Sequence, residues 1–418
     1  MMQESDLFIP IKQVETPSQN SENRMKFIVI GAGLAGLRAA GVASSRGHEV
    51  EVLEATDCIG GRVQTDIIDG FRCDKGFQLL NPSYPEARRS LKLSELDLHH
   101  FGRGVAVHSS SGTRVLADPF RHPEHLKGSF GAGVKLSDLA ALLRWLQLSK
   151  NPSATLGETI EHAGFSPLVA QVFERFFSGV VADPSLQASA LRARSLFGYF
   201  VKGTPALPTQ GMAAILSHLA QPLSEQIRLS TPVRTVANAG ERVKVTCSTG
   251  EQLYADRVVV AAGPRASARL LGQAEPEMNA LTTWWFAAKH QPTNLPFLHL
   301  DLRDEFQLTH TSVISNICPS YAPAGQHLIQ ATVAGVHGLA DQSAMIQAAS
   351  ILGVTNPDWR LLVRHDIEHA LPSATPDQDP LKSQLPRIEV AGDTAQASIQ
   401  GALSSAVRSI DVLEKFQS

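Results

Sequence analysis

Cysteine is scarce in this sequence. Four cysteines occur in 418 residues, at positions 58, 73, 247 and 318, and no two of them form a CxxC pair. Such spacing favours neither a structural zinc site nor a disulfide framework. Unpaired thiols are typical of a reducing compartment, and the sequence therefore predicts a cytoplasmic protein.

An excess of basic residues and a long apolar run are also missing. The 37 Lys and Arg residues against 40 Asp and Glu residues give a formal net charge of −3, which argues against a nucleic-acid partner. No apolar run reaches the ~20 residues of a transmembrane helix. Residues 1–24 lack the basic stretch and long apolar stretch of a secretory signal, and we expect them to be a disordered extension or a mis-assigned start.

What the sequence does contain is the composition of a globular protein. Hydrophobic residues make up 43% of the chain and charged residues 18%. A length of 418 residues exceeds one ordinary compact core, so two lobes are expected.

The stretch KFIVIGAGLAGLRAA, residues 26–40, begins with apolar residues typical of a buried parallel strand and continues as a helix. Gly31, Gly33 and Gly36 follow the strand at GxGxxG spacing. Glycine at these positions permits a tight turn, the approach of a pyrophosphate to the backbone and close helix–strand packing. Phosphates would lie at the helix N-terminus, where free N–H groups favour anions. The stretch therefore predicts a dinucleotide site.

The next predicted strand, HEVEVLEA, contains Glu54 and strengthens this interpretation. The strand closes a βαβ unit, and Glu54 follows the glycines at the distance expected of a ribose-binding acid. Its carboxylate would accept hydrogen bonds from ribose hydroxyls and repel a 2′-phosphate, which argues against NADP. FAD and NAD share this unit, so these residues alone leave both open.

Five residues after Glu54 come Gly60, Gly61 and Arg62. The combined pattern E-x5-G-G-R resembles the superfamily of flavin amine oxidases, phytoene desaturases and protoporphyrinogen oxidases. The resemblance extends over nearly all of the chain after the first 24 residues and is closest to the phytoene desaturase-like branch. It implies FAD as the cofactor, with Arg62 near the pyrophosphate and flavin. No second GxGxxG follows a strand, so a separate NAD(P)H-binding unit is not expected.

The resemblance also implies the fold. An α/β architecture is expected, in which a Rossmann-type FAD-binding domain of the GR2-like kind is combined with a discontinuous, mixed α+β substrate domain. The FAD-binding domain would consist of three parts and the substrate domain of two, alternating along the chain. The expected parts are 25–95, 96–209, 210–272, 273–380 and 381–418.

Matching motifs imply which residues hold FAD. The strand LSTPVRTV would bring the backbone of Val233 to the adenine. In the C-terminal motif RIEVAGDTAQASIQGALSSAVRSI, Asp393 would hydrogen-bond the ribityl or pyrophosphate region. Backbone N–H groups near Ile399 and Gln400 would face flavin N1 and O2, where negative charge accumulates on reduction. The complete set of expected cofactor-binding residues is Gly31, Gly33, Leu34, Ala35, Gly36, Glu54, Ala55, Gly60, Gly61, Arg62, Val233, Ala262, Gly392, Asp393, Ser398, Ile399, Gln400 and Ala402.

Two features of typical flavin amine oxidases are missing, and so is the cysteine that covalent flavin attachment would need. Their substrate-lobe strand usually carries a lysine that binds flavin N5 through water, but the matching stretch LTTWWFAAKH has Thr283 or Trp284 near that position, and Lys289 is too far along. The C-terminal motif lacks the aromatic residue of the amine-oxidase cage. No cysteine follows Cys318 for a covalent flavin link, which implies that FAD is held non-covalently.

Two groups of aromatic residues are candidates for the substrate cavity. Trp284 and Trp285 lie on opposite faces of one predicted strand, so one could line the cavity, although packing of both in the core is an equally good interpretation. Phe173, Phe176 and Phe177 recur at helical spacing, for which core packing is the favoured interpretation.

Histidine pairs raise the question of a metal site. His365 and His369 could share a helix face as ligands, but they match a segment of the family that ends in Ala-Leu-Pro and is structural. His99 and His100 have no third ligand in view. The sequence therefore predicts no metal site.

Taken with the resemblance, these residues predict an FAD-dependent oxidoreductase that dehydrogenates a C–C or C–N bond of a largely apolar small molecule. Hydride would pass to flavin N5 in desaturase-like chemistry, and electrons would pass on to oxygen or a quinone. A polyene or porphyrin is the implied substrate class, and peripheral membrane contact through helices in 120–180 stays open.

Three alternatives are weighed against this prediction. The first is a flavin amine oxidase with an atypical site that releases hydrogen peroxide. The second is non-redox use of the flavin, as in sugar-nucleotide mutases, which need several arginines where the segment 281–333 has only Arg303. The third is a non-catalytic FAD-binding scaffold.

Overall fold

The computed structural model describes residues 24–110, 112–117, 134–303, 307–335 and 338–416. The predicted extension over 1–24 lies outside the described residues except for Arg24. Among the described residues, no helix combines the length and the apolar character needed to cross a membrane.

A parallel sheet forms the centre of the first layer. In spatial order, its described strands are Ile388–Val390 (β19), Arg257–Val260 (β13), Lys26–Ile30 (β1), Glu49–Leu53 (β2) and Ile227–Arg228 (β9), and all neighbours pair in parallel. These strands come from three separate parts of the chain.

Both faces of this sheet are covered, which explains why residues 27–30 of β1 and 258–260 of β13 are continuous apolar runs. Phe27 and Val29 face a core that contains the helices Leu34–Ser45 (α1) and Ile399–Lys415 (α11). Ile28 and Ile30 face the opposite way, toward a small antiparallel sheet. The strands of that sheet are Val233–Ala239 (β10), Arg242–Cys247 (β11) and Gln252–Ala255 (β12).

A larger mixed sheet forms the second part of the molecule. In spatial order, its described strands are Arg360–Pro372 (β18), Met278–Ala288 (β14), His327–Ala334 (β17), His310–Val313 (β16), Leu298–Asp301 (β15), Gly104–Ser109 (β6) and Gly112–Ala117 (β7). All neighbours pair antiparallel except β15 and β6, which are parallel. The helix Asp341–Ile351 (α10) packs in the core on one face of this sheet.

A layer of helices lies against the mixed sheet. It consists of Leu136–Leu148 (α3), Leu156–Ala163 (α4), Pro167–Val180 (α5) and Ala190–Lys202 (α6). Trp145 is fully buried among Phe173, Phe177 and Phe197. Its indole ring therefore lies at the centre of the core between α3, α5 and α6. Helix α5 also contacts β15, β16 and β17, which fixes the helical layer on the sheet.

Short elements connect these layers. The strands Thr65–Ile68 (β3) and Phe71–Asp74 (β4) form a hairpin, and Leu98–His100 (β5) pairs with Ala206–Pro208 (β8). The remaining helices of the described residues are Pro85–Ser90 (α2), Ala214–Ala220 (α7), Pro264–Leu270 (α8) and Ile314–Ile317 (α9). Single 3₁₀ turns occur at Leu93–Glu95, Gln221–Leu223 and Pro319–Tyr321.

The predicted fold class is confirmed: a parallel, Rossmann-type sheet is combined with a separate mixed sheet, and each is assembled from distant parts of the chain. The exact domain boundaries stay a prediction.

Candidate functional site

One large cavity extends between the two sheets. Its volume is about 1610 Å³, and its described lining residues come from every layer of the fold. One part of the cavity is lined by the loop after β1, the end of β2 and the start of α11, where backbone and small side chains dominate. The other part is lined by apolar side chains of α5 and α6 and by β14, β16 and β18.

The loop after β1 is shaped by close backbone contacts. Gly31 has φ +106°, and a Cβ added to it would lie 2.4 Å from the carbonyl oxygen of Ala261. A Cβ on Gly36 would lie 1.8 Å from the carbonyl oxygen of Gly31. Only glycine fits at these two positions, so α1 approaches the sheet closely. Its N-cap, Gly33, offers no side chain to the first N–H groups of the helix, which therefore favour an anion.

Glu54 lies at the end of β2 with its carboxylate held in the glycine loop. Its Oε2 accepts a hydrogen bond of 2.7 Å from the N–H of Ala32, and its Oε1 accepts bonds of 3.0 Å and 2.9 Å from the N–H and hydroxyl of Thr56. The residue is 8% exposed and lines the cavity. These bonds fix an acceptor group at the edge of the cavity, as a ribose-binding acid requires.

Arg62 and Asp393 form an ion pair on the cavity wall. Arg62 Nη2 lies 2.6 Å from Asp393 Oδ1, Nη1 lies 3.0 Å from Oδ2, and Nη1 also donates to the carbonyl of Ala370 at 2.9 Å. The pair joins the GGR motif to the C-terminal motif and to β18. The sequence identified both residues but did not predict that they bind each other.

The structure brings most of the expected cofactor-binding residues together. All of them line the cavity except Gly36 and Gln400. Gly36 lies behind the loop, and the side chain of Gln400 accepts a hydrogen bond of 3.0 Å from the N–H of Glu86 instead of facing the cavity. Gln400 thus links α11 to α2. The roles of the whole set in binding a cofactor stay a prediction.

Phenylalanines form the wall of the apolar part. Phe173, Phe176 and Phe177 of α5 and Phe197 and Phe200 of α6 all line the cavity. They also pack on one another, with ring centroids 5.8 Å apart for Phe173 and Phe197 and 5.3 Å apart for Phe176 and Phe200. The interpretation of the α5 phenylalanines as core residues was therefore incomplete, because the same rings pack and border the cavity.

The two tryptophans of β14 are core residues, and the suggestion that one of them lines the substrate cavity is wrong. Trp284 and Trp285 do lie on opposite faces, but both are buried, at 0% and 1% exposure, and neither borders the cavity. Trp284 packs against α10, and its Nε1 donates to Asp341. Trp285 packs toward the first layer, and its Nε1 donates to the carbonyl of Asp74 at 3.1 Å.

The cavity-facing residues of β14 are Met278 and Leu281, both apolar. The residues considered for the lysine position of the family do not face the cavity. Thr283 is fully buried and shares a hydrogen bond of 2.8 Å with Thr332, and Lys289 is exposed beyond the strand end. Within the described lining, Lys75 is the single lysine, and its Nζ donates to Gln64 at 2.6 Å. Strand β14 therefore offers the cavity no amine.

His310 of β16 is a cavity residue that the sequence did not single out. It is 3% exposed and packs against Gly179 of α5 and the ring of Phe77, whose centroid lies 4.7 Å away. Burial lowers the pKa of its imidazole to about 4, so the ring is neutral at physiological pH. Its Nδ1 has no hydrogen-bond partner among the described residues. A histidine in a β-branched strand carries no sequence signal for this position.

Asp74, at the end of β4, lies directly before the cavity-lining stretch 75–79. Its Oδ1 accepts hydrogen bonds from Thr65 Oγ1 at 2.5 Å and from the N–H of Met212 at 3.0 Å, and its Oδ2 accepts one from the Tyr321 hydroxyl at 2.9 Å. Burial raises the pKa of the Asp74 carboxyl to about 6, although these hydrogen bonds act in the opposite direction. Asp74 of β4 is thus hydrogen-bonded to three other segments, which contain Thr65, Met212 and Tyr321.

His365 and His369 lie on strand β18, so they do not share a helix face, the arrangement under which a metal site was considered. His365 Nε2 lies 3.1 Å from Asp66 Oδ2, and His369 contacts Arg265. Burial lowers the pKa of His365, which Asp66 partly offsets. Within the described residues, no three His, Cys, Asp or Glu side chains are grouped as a metal site would require.

Comparison with known proteins extends these observations. A family model for flavin containing amine oxidoreductases matches residues 34–411. Lysine-specific histone demethylase 2 of Homo sapiens is 30% identical over 246 residues, which cover 56% of this chain and 29% of that protein. Polyamine oxidase 3 of Oryza sativa subsp. japonica is 28% identical over 253 residues, which cover 56% of this chain and 50% of that protein. The matched regions thus span half or less of these relatives.

Solved structures share the fold. An oxidoreductase from Methanosarcina mazei matches with a TM-score of 0.76 at 18% identity, covering 93% of this chain and 100% of that one. Putrescine oxidase bound to putrescine matches with a TM-score of 0.69 at 17% identity, covering 94% and 99% of the two chains. At such low identity these matches show the fold and leave the substrate open.

Proposed function

The chain belongs to the flavin-containing amine oxidoreductase family. From that premise we propose that it is an oxidoreductase with non-covalently bound FAD. Its reaction would be the dehydrogenation of a C–C or C–N bond of a largely apolar small molecule. The observation that carries this proposal is the continuous cavity, in which a glycine-rich part, lined by most of the expected cofactor-binding residues, continues into a phenylalanine-lined part. A cofactor and an apolar substrate would meet where the two parts join.

The residues present fit FAD. The glycine loop leaves space beside the backbone where a Cβ would collide, and the N-terminus of α1 favours the pyrophosphate. Glu54 is fixed as an acceptor for ribose hydroxyls, and Val233 borders the cavity where the adenine would lie. Arg62 and Asp393 would hold the region between pyrophosphate and flavin, with Gly60, Gly61 and Gly392 beside them.

When bound, FAD accepts a hydride at N5 of the flavin ring. The chain's own part is to hold the ring, exclude water and stabilise the negative charge that develops at N1 and O2. Helix α11 begins at Ile399 and is capped by the Ser398 hydroxyl, which accepts from the N–H of Gly401 at 3.0 Å. The N–H groups of its first turn would supply that stabilisation.

Non-covalent attachment is supported by the positions of the cysteines. All four are free thiols, and none of them is among the described residues that line the cavity. A thioether to the flavin would therefore need a rearrangement of the wall. We propose that burial and hydrogen bonds alone retain the cofactor.

The apolar lining supports desaturase-like chemistry on a largely apolar substrate. Met278 and Leu281 are the residues of β14 that border the cavity, and the wall of α5 and α6 is aromatic. Electrons would pass from the reduced flavin to oxygen or a quinone. The division of the chain into the five parts given above belongs to this proposal, as does a cytoplasmic location.

Peripheral membrane contact is a further element of the proposal. Leu136, Leu139 and Leu143 follow one face of α3, and their exposed fractions are 86%, 63% and 62%. Large exposed apolar side chains at this spacing suit contact with a lipid surface.

Amine oxidation is the second candidate, because the demethylase and polyamine oxidase are the sequence relatives named above. It predicts release of hydrogen peroxide with an amine. The experiment that separates the candidates is anaerobic mixing of the FAD-loaded protein with panels of amines, polyenes and porphyrinogens, followed at the flavin absorbance. Bleaching by polyenes or porphyrinogens supports the proposal, bleaching by amines alone supports the second candidate, and failure of every panel would favour a non-catalytic FAD-binding scaffold.

A further inference from the structure

A connected group of polar side chains lies on the face of the mixed sheet that carries His310. Thr283 of β14 shares a hydrogen bond of 2.8 Å with Thr332 of β17, and the Thr332 hydroxyl also accepts a hydrogen bond from Gln330 Nε2. Strand pairing places Thr332 opposite His310, and Gln330 lies on the same face as Thr332 because side chains alternate along a strand. All four side chains are buried, with exposed fractions of 0% to 3%.

The amide of Gln330 is oriented by this group. Its Nε2 donates to Thr332, which leaves its Oε1 as an acceptor without a hydrogen-bond partner in the described part of the chain. His310 Nδ1 also lacks a partner there. Burial lowers the pKa of His310 to about 4, and Gln330 acts in the opposite direction, as an acceptor close to a ring nitrogen does. An unused acceptor thus lies beside a ring that has a proton to donate.

This arrangement determines which nitrogen of His310 carries the proton. A neutral imidazole is a donor at one ring nitrogen and an acceptor at the other. Because Gln330 Oε1 is an acceptor in need of a donor, it favours the proton on Nδ1. Nε2 is then the unprotonated nitrogen, which accepts a hydrogen bond and cannot donate one.

The Nε2 edge of the ring lies next to Gly179 of α5. A Cβ added to Gly179 would lie 2.9 Å from Cδ2 of His310 and 3.5 Å from Nε2. Gly179 has no positive φ that would require glycine, and glycine is a poor residue within a helix. Its presence therefore leaves the Nε2 edge uncovered, and both residues line the main cavity.

Apolar side chains border the cavity beside this edge. The ring of Phe77 has its centroid 4.7 Å from that of His310, and Val180 and Phe176 lie next to Gly179 and one turn before it in α5. A buried acceptor in such surroundings discriminates strongly, because a ligand without a donor leaves it unpaired and removes it from water.

We propose that His310 is a specificity-determining residue, whose Nε2 accepts a hydrogen bond from an N–H or O–H group of the substrate, and that Gln330 positions it by accepting from Nδ1. The inference rests on the proposed function, because it adds a feature of the substrate that is bound in the same cavity. It narrows a largely apolar molecule to one with a hydrogen-bond donor, such as a pyrrole, an amine or an alcohol. A pure hydrocarbon would leave Nε2 without a partner.

The first test uses the FAD-loaded protein and three bicyclic probes of similar size. Indole offers an N–H donor, benzothiazole offers an acceptor, and indene offers neither. Binding is measured by isothermal titration calorimetry. We expect indole to bind about two- to tenfold more tightly than indene, as one neutral hydrogen bond would give. Benzothiazole should bind no more tightly than indene, because two acceptors cannot pair.

The second test reads the tautomer of His310 directly. Its imidazole ¹⁵N resonances are recorded in the FAD-loaded protein and identified by their absence from His310→Leu. We expect Nδ1 to be protonated and Nε2 to be unprotonated. Addition of indole should shift the Nε2 resonance, whereas addition of indene should not. A histidine with a merely structural role would not respond to the N–H group of a probe.

Two variants locate the hydrogen bond. His310→Leu should bind indole and indene alike, whereas His327→Leu on β17, outside the described lining of the cavity, should keep the preference. Gly179→Ala retains the histidine but covers its Nε2 edge, so it should also reduce the preference for indole. Its matched control is Gly198→Ala in α6, where a Cβ meets nothing within 4 Å.

Three results would overturn the inference. The first is equal affinity for indole and indene, or no binding of indole, in the unmodified protein. The second is a proton on Nε2. The third is a preference for indole that survives in His310→Leu or, where that variant does not fold, in Gly179→Ala. FAD content is measured in every sample beforehand. A protein that does not retain FAD refutes the proposed function and this inference with it, whereas retained FAD without a preference for indole refutes this inference alone.

Discussion

Arg62 and Asp393 are 331 residues apart in the chain and bind each other at two points, with N···O distances of 2.6 and 3.0 Å. Asp393 is 5% exposed, so the pair is largely shielded from solvent on its side. The pair connects the loop after β2 to the segment before α11 on the wall of the cavity. Geometry of this kind favours arginine over lysine, because both Nη atoms of the guanidinium are used.

Breaking this pair should weaken FAD binding. Asp393→Asn removes a charge-assisted bond worth about 1.5–3 kcal/mol, so we expect the Kd for FAD to rise roughly ten- to hundredfold. Arg62→Lys should have a similar effect. The measurement is FAD binding to the stripped protein by fluorescence quenching. Arg360→Gln, which breaks an exposed pair with Asp69, is the control and should leave the Kd unchanged.

Gly36 should tolerate no side chain. In Gly36→Ala the new Cβ would lie 1.8 Å from the Gly31 carbonyl oxygen, so α1 must move away from the sheet. We expect a loss of stability of several kcal/mol (about 3 or more, as for other severe overpacking) and loss of retained FAD. Gly41→Ala in the same helix meets nothing within 4 Å and should stabilise the protein by about 0.5–1 kcal/mol. Urea unfolding of both variants checks the contrast, and equal effects would contradict it.

Asp74 should make stability fall as pH rises through the acid range. Its folded pKa of about 6 lies above the ordinary 3.8, so the folded protein binds more protons than the unfolded chain between these values. This contribution is fully present below about pH 4 and is lost by about pH 6, and it amounts to on the order of 3 kcal/mol. Asp74→Asn should flatten that part of the stability profile, whereas Asn at the exposed Asp69 of the same hairpin should not. A profile unchanged in Asp74→Asn would contradict the assignment.

Substitution of the two tryptophans of β14 should affect the stability of the protein to different extents, and neither substitution should change the environment of the flavin. Trp285→Phe leaves the Asp74 carbonyl without its donor in the core and should cost about 1–3 kcal/mol. Trp284→Phe should cost less, because its acceptor Asp341 is 45% exposed and can bind water. Since neither ring borders the cavity, the absorbance maxima of bound flavin should not shift in either variant. A shifted spectrum would show that a tryptophan does approach the cofactor.

Backbone requirements made the nucleotide part of the site predictable from sequence. Gly31 and Gly36 are fixed by contacts with neighbours close in the chain or in the adjacent strand, and Glu54 by its place at the end of the second strand. Such requirements are local, so a short motif carries them. The pairing of Arg62 with Asp393 is not local, and each residue could be assigned only a separate role.

The substrate part depended on packing that no short segment determines. His310 is neutral and buried because α5, more than 130 residues earlier in the sequence, lies against β16. The spacing of His365 and His369 could not distinguish helix from strand, because i and i+4 share a face in both. The roles of Trp284 and Trp285 depended on which layer each face of β14 covers.

The most direct test of the account is the visible absorbance spectrum of the purified protein, followed by heat denaturation and identification of any released chromophore. The account predicts flavin absorbance bands and FAD in the supernatant, with colourless precipitated protein. A chromophore that stays with the precipitate would contradict non-covalent binding. A protein that is colourless and remains so after incubation with FAD would contradict the oxidoreductase proposal itself.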